Sequence, residues 1–121
     1  ANQGALYSKG TLDSFGVSGA DSNYFSLSIQ RVTTNAFFSF LAPTIKKVFC
    51  VGFAVDDANL DSAPLVYLSG VKVSGSFSAG SGPRVTNTTG VTVGNRPLND
   101  RNWDGAIYLS LEFANLQTIS K

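Results

Sequence analysis

The sequence predicts an all-β protein that folds as a single-domain antiparallel β-sandwich of jelly-roll type, with about seven or eight strands and an extended N-terminal arm. The strong helix formers typical of exposed positions are scarce, since Glu112 is the only glutamate among 121 residues and glutamine occurs at three positions. The β-branched and aromatic residues together make up close to a third of the chain. Apolar and polar residues alternate in several segments. Residues typical of turns separate these segments at intervals of roughly ten positions.

The first 22 residues are polar and interrupted by glycine, so they form either an extended arm or one or two weak strands. We assign residues 1–22 to an arm that contacts other subunits and residues 23–121 to the sandwich. Deletion of residues 1–17 is then expected to leave the sandwich folded and to weaken association. The apolar side chains of the arm are the candidate contacts, and they are Leu6, Tyr7, Leu12, Phe15 and Val17.

Further strands are predicted in order at residues 23–32, 36–41, 45–55, 65–69, 71–78, 91–93 and 106–116. The first and the last of these alternate most regularly between apolar and polar residues. In residues 45–55, large apolar side chains alternate with small ones, which predicts a central strand covered on both faces. Cys50 lies in that run and is expected to be buried as a small apolar side chain. In residues 71–78, Gly75 interrupts the apolar side and indicates a β-bulge.

The composition excludes several classes of function. The chain has no histidine and one cysteine, which excludes catalytic units and metal sites built on imidazole and clusters built on several thiolates. A net charge of +1 gives no electrostatic basis for binding nucleic acid. No apolar run approaches the roughly 18–20 residues that span a bilayer, so membrane insertion is not expected. Methionine excision and cleavage of an export signal are both consistent with a chain that begins at Ala1.

An acidic segment between two predicted strands matches the start of a calcium loop. Asp57, Asn59 and Asp61 present oxygen ligands at alternate positions, as the first three ligands of such a loop do. The sixth position is Ser62 instead of glycine, and the twelfth is Leu68 instead of glutamate. A solvated loop is therefore the favoured interpretation, Ca²⁺ is the alternative, and no other cofactor is expected.

A second group of polar residues surrounds the single tryptophan. The group consists of Asn95, Arg96, Asn99, Asp100, Arg101, Asn102, Trp103 and Asp104. An aromatic ring beside amide, carboxylate and guanidinium groups is suited to a sugar, whereas Trp and Arg also dominate many subunit contacts. A third interpretation is that Trp103 packs over one end of the sandwich. All three interpretations stay open.

The composition favours a non-enzymatic structural subunit of a repeating assembly. Charged residues form 14% of the chain, where about 25% is usual, and this lowers the repulsion between copies. Strand edges with few charges are also poorly protected against pairing with another chain. We therefore expect a phage-type virion protein, such as a capsid, decoration or tail protein, whose partners are copies of itself and other subunits. Its expected location is a virion or an extracellular surface assembly. The alternative is a carbohydrate-binding module or lectin-like adhesin that holds a glycan at residues 95–104.

Overall fold

A computed structural model describes residues 5–9, 13–17, 23–42, 48–56, 58–85, 91–93 and 107. Every regular element within these residues is a β-strand, which confirms the all-β class. The strands are β1 (Ala5–Lys9), β2 (Asp13–Val17), β3 (Tyr24–Ile29), β4 (Ala36–Leu41), β5 (Val51–Ala54), β6 (Leu65–Leu68), β7 (Val71–Lys72), β8 (Ser76–Ser78) and β9 (Val91–Val93). The strand predicted at residues 106–116 lies outside the described residues except for Ile107.

The described strands form two antiparallel sheets. The larger sheet has six strands in the order β8-β4-β3-β2-β1-β9, and the smaller sheet has three in the order β5-β6-β7. The ring of Phe53 on β5 lies 5.5 Å, centroid to centroid, from the ring of Phe15 on β2. Val66 on β6 is buried in the same apolar cluster as the inward residues of β2, β3 and β4. The two sheets therefore pack against each other across one apolar core.

The alternation predicted for residues 23–32 is confirmed in β3, and β4 packs its own buried residues on the same face. The buried residues of β3 and β4 are Phe25, Leu27, Ile29, Ala36, Phe38 and Phe40. The register pairs Phe25 with Phe40 and Leu27 with Phe38, so the buried side chains of both strands lie on one face. Each large apolar side chain removed from water in this way stabilises the fold by about 1.5–3 kcal/mol.

The described parts of the segment assigned to the arm are strands of the larger sheet. β2 pairs with β3, and β1 pairs with both β2 and β9. Phe15 is 1% exposed, and its ring lies 5.4 Å from that of Phe25 and 6.0 Å from that of Phe40. The sequence left two interpretations open for this segment, an extended arm or one or two weak strands, and its described residues form strands. A role of this segment in association stays a prediction.

Residues 71–78 do not form one bulged strand but two strands in different sheets. β7 extends the smaller sheet by pairing with β6, whereas β8 pairs with β4 at the edge of the larger sheet. The chain crosses between the sheets at Gly75, where an added Cβ would lie 2.8 Å from the ring of Phe38 and even closer to the carbonyl oxygen of Ser39. Glycine is required there because the crossing chain passes directly over β4.

The prediction that residues 45–55 are covered on both faces is wrong for the described part of this run. Among the described strands β5 pairs only with β6, so it lies at the edge of the described part of the smaller sheet. One side of the run is covered as expected, since Phe49, Val51 and Val55 pack against the core. The other side is open, with Val48 81% exposed and Cys50 also exposed. Cys50 is therefore not the buried thiol that the sequence predicted, because no third layer covers this face within the described residues.

Candidate functional site

Two loops of the larger sheet are joined at the end where β3 leads into β4. Residues 30–35 connect these strands, and residues 79–85 follow β8 at the same end of the sheet. The backbone N–H of Val32 donates to the carbonyl of Pro83 (2.9 Å), and the N–H of Ser81 donates to the carbonyl of Thr34 (2.9 Å). Because these bonds continue the ladder beyond the strands, the two loops have defined backbone positions.

Arg31 connects these two loops to a third. Its Nε donates to the carbonyl of Gly82 (2.6 Å), and its Nη1 donates to the carbonyl of Ala79 (2.6 Å). The same Nη1 donates to the carboxylate of Asp61 in the loop between β5 and β6 (2.9 Å). We call Arg31, Asp61, Ala79 and Gly82 the Arg31 cluster. It ties the smaller sheet to the larger one through polar contacts.

The Arg31 cluster includes Asp61, one of the three residues that match the start of a calcium loop. Asp61 is in contact with a guanidinium, and the Nδ2 of Asn59 donates to the hydroxyl of Ser62 (2.8 Å). Asp57 lies outside the described residues. Within the described residues no group of three or more histidine, cysteine or acidic side chains is placed to hold a metal ion. A cation at this loop would have to compete with the guanidinium for the carboxylate of Asp61, and Ca²⁺ at these positions stays a prediction.

An open cleft of about 360 Å³ lies beside the Arg31 cluster. Its lining residues include the polar Arg31, Asn59 and Asp61, and Leu60 and Pro83 add apolar surface. The cleft thus offers donors and acceptors in the same small volume, without an excess of either charge. Sequence reasoning missed Arg31, because its partners lie 30 to 51 residues away along the chain.

The outward side of the larger sheet is the second candidate site. The register aligns Ser76, Ser39, Ser26 and Gly16 in one row across the strands, and Ser78, Phe37, Ser28 and Ser14 in the next. Neighbouring residues of a row are about 4.8 Å apart, and the rows are roughly 6.7 Å apart. Tyr24 on β3 pairs with Leu41 on β4. This pair lies next to the row that contains Ser26 and Ser39, on the same side of the sheet. We call these residues the serine face.

The serine face is uncharged and partly apolar. None of the residues that define it is Asp, Glu, Lys or Arg. Tyr24, Phe37 and Leu41 are 39%, 45% and 64% exposed, so three large apolar side chains lie among the serines. Serine side chains are short and lose little conformational entropy when another surface packs on them. The arrangement is therefore suited to contact with a flat, uncharged surface.

The remaining candidates from the sequence fall into two groups. Of the arm residues, Phe15 is buried, Tyr7 is half-buried, and Leu6 and Val17 belong to β1 and β2. Leu12 lies outside the described residues. So does the whole group around the tryptophan, which is Asn95, Arg96, Asn99, Asp100, Arg101, Asn102, Trp103 and Asp104. The structure thus brings Asn59 and Asp61 to one cleft and places Phe15 in the core.

Comparisons with known proteins identify no relative of this chain. The described part of the chain contains no helix with the length and apolar character needed to cross a membrane. The chain matches no protein-family model, no curated protein and no solved structure.

Proposed function

We propose that this protein is a non-enzymatic structural subunit of a repeating assembly, of the kind found in phage-type virions as capsid, decoration or tail proteins. The observation that carries the proposal is the serine face. A free surface strand usually alternates apolar residues with charged ones, whereas the outward positions of β2, β3, β4 and β8 carry none. A neighbouring subunit can cover such a face without removing any charge from water.

The finer architecture belongs to the same proposal. We infer a jelly-roll sandwich in which the two antiparallel sheets enclose the core and the chain crosses between them at Gly75. The partners are copies of the same chain and other subunits of the assembly, and the location is a virion or an extracellular surface assembly. The passage of the chain from β7 in the smaller sheet to β8 in the larger sheet supports the two-sheet sandwich within this inference.

The experiment that tests the proposal is the native mass of the protein, measured by size-exclusion chromatography with light scattering over a range of concentrations. We expect a defined oligomer or a larger particle. The variant Ser39→Lys introduces a charge at the middle of the serine face and is expected to lower the assembled fraction, because two such faces would bury unpaired charges.

The matched control is Ala63→Lys, which adds the same charge on an exposed residue of the loop before β6. It should leave the assembled fraction unchanged. A wild-type protein that stays monomeric at all concentrations would overturn the proposal. An oligomer that responds equally to both lysine variants would show that the serine face is not a contact.

The second candidate function is a carbohydrate-binding module or lectin-like adhesin, and the cleft at the Arg31 cluster favours it. Sugar hydroxyl groups need donors and acceptors together, and the exposed side chains of Asn59 and Asp61 supply both. Titration with a panel of neutral monosaccharides, followed by amide chemical shifts, tests this candidate. Saturable shifts at residues 58–61 and 82–83 in a monomeric protein would favour it over the structural subunit.

A further inference from the structure

The edge strands of the two sheets differ in how well they are protected against pairing with a strand of another chain. Among the described residues, the strands with one free edge are β5 and β7 in the smaller sheet and β8 and β9 in the larger. β7, β8 and β9 are two or three residues long, and β7 includes Lys72. Short strands and lysine are common devices against edge-to-edge pairing. β5 is four residues long and lies in a run of eight uncharged residues, 48–55, that contains no proline.

The free edge of β5 presents backbone donors and acceptors. The N–H of Ser69 donates to the carbonyl of Cys50 (2.6 Å), which fixes the phase of the ladder between β5 and β6. Hydrogen-bonded pairs alternate along antiparallel strands, so Gly52 and Ala54 bond toward β6. Val51 and Phe53 therefore direct their N–H and carbonyl groups to the other side, where no described strand pairs with them.

One face of the sheet beside this edge is open. A Cβ added at Gly52 would meet no atom within 4 Å. Val48 is 81% exposed and Phe53 is 37% exposed, although Phe53 also contacts the ring of Phe15. An exposed, uncharged edge with large apolar side chains is the kind of strand to which another strand adds.

The charges that flank the run favour a particular partner. In the sequence, Lys46 and Lys47 precede the uncharged run, and Asp56 and Asp57 follow it. If two copies pair antiparallel, the basic end of each run lies opposite the acidic end of the other. A parallel pair would instead place like charges side by side, which is unfavourable.

We propose that the edge of β5 pairs antiparallel with β5 of a second copy of this chain, so that the two smaller sheets become one continuous sheet. Because the odd-numbered residues Val51 and Phe53 direct their backbone N–H and carbonyl groups to the free edge, odd-numbered residues of one copy must pair with odd-numbered residues of the other. Registers centred on Val51 or on Gly52 satisfy this requirement. This inference rests on the proposed function and names one of its contact surfaces. Such a contact closes a pair about a two-fold axis, so a larger assembly needs a second surface, which the serine face provides.

The test uses the full chain with exchanged charges. One double variant is Lys46→Asp with Lys47→Asp, and the other is Asp56→Lys with Asp57→Lys. Each variant alone carries like charges at both ends of the run, so pairing with itself is expected to weaken about tenfold or more. An equimolar mixture restores opposite charges across the contact and should regain the wild-type mass.

A second variant pair covers the case in which the double variants fold poorly. Gly52→Lys places a charge at the centre of the contact and should reduce the native mass, whereas Gly52→Ala should not. Wild-type assembly that none of these variants affects would overturn this inference and leave the proposed function standing. A monomeric wild-type protein would overturn both. Loss of assembly in Gly52→Lys with no rescue in the mixture of folded double variants would overturn the antiparallel arrangement.

Discussion

Arg31 and Asp61 form an ion pair of 2.9 Å in which the two side chains have very different exposure, 9% for Arg31 and 77% for Asp61. The carboxylate is well hydrated, so its attraction to the guanidinium is largely screened. The guanidinium is mostly removed from water and depends on the carbonyl groups of Ala79 and Gly82 for its hydrogen bonds. The stabilising part of the cluster is therefore the pair of bonds to carbonyl groups, and the ion pair contributes less.

This difference predicts unequal effects of two substitutions. Arg31→Met keeps the apolar part of the side chain and leaves two carbonyl groups without donors, so we expect a loss of about 2–4 kcal/mol in the free energy of unfolding. Asp61→Asn removes a screened ion pair and is expected to cost about 0–1 kcal/mol. Urea unfolding followed by circular dichroism measures both. Equal losses in the two variants would contradict the assignment of stability to the carbonyl bonds.

Substitutions at two glycines test whether residues 79–85 are held against the turn between β3 and β4. Gly80 has a φ of +66°, and a Cβ added there would lie 2.6 Å from the carbonyl oxygen of Asn35 and closer still to that of Thr34. Gly80→Ala is therefore expected to cost about 3 kcal/mol or more, or to prevent folding. Gly52→Ala is the matched control, because a Cβ at that position meets nothing within 4 Å.

The control is expected to change the free energy of unfolding by less than about 1 kcal/mol, and its effect is stabilising if it only restricts the unfolded chain. Both variants are measured by urea unfolding under the same conditions. A similar small effect at both glycines would show that residues 79–85 are not held against the turn at 33–35.

The parts of the fold that could be predicted from the sequence are those set by local alternation. β3 alternates between large apolar residues and polar ones, and this pattern alone identifies its buried face. β4 carries large apolar residues on both sides, so its buried face is decided by its pairing with β3. β4 has the predicted bounds of 36–41. The serines of the outward face were visible in the same pattern, although their alignment into rows depends on the register between strands.

Other features depend on contacts between distant residues and could not be predicted. An apolar run such as 48–55 has the same sequence pattern in a central strand as in an edge strand, and the position in the sheet is decided by which strands pair with it. Residues 71–78 likewise show one period, and only the close approach of Gly75 to β4 divides them between two sheets. The Arg31 cluster has no local motif. In the sequence, a single charge two residues after the alternating strand β3 is the only sign of it.

The N-terminal segment gives the last prediction, because its strands change what a truncation should do. Phe15 contacts three aromatic rings from both sheets, those of Phe25, Phe40 and Phe53, at centroid distances of 5.4, 6.0 and 5.5 Å. Phe15→Ala is expected to cost about 3–5 kcal/mol, which is a large part of the stability of a domain of this size. Leu41→Ala is the control, since Leu41 is 64% exposed, and it should cost less than about 1 kcal/mol.

Deletion of residues 1–17 removes Phe15 together with β1 and β2, and it exposes the edge of β3. We therefore expect the truncated chain to be unfolded or aggregated, rather than folded and only impaired in association. Its far-ultraviolet circular dichroism and urea unfolding curve decide between these outcomes. A truncated chain with a cooperative transition close to that of the full chain would show that the segment is a separable arm, and that the core closes without Phe15.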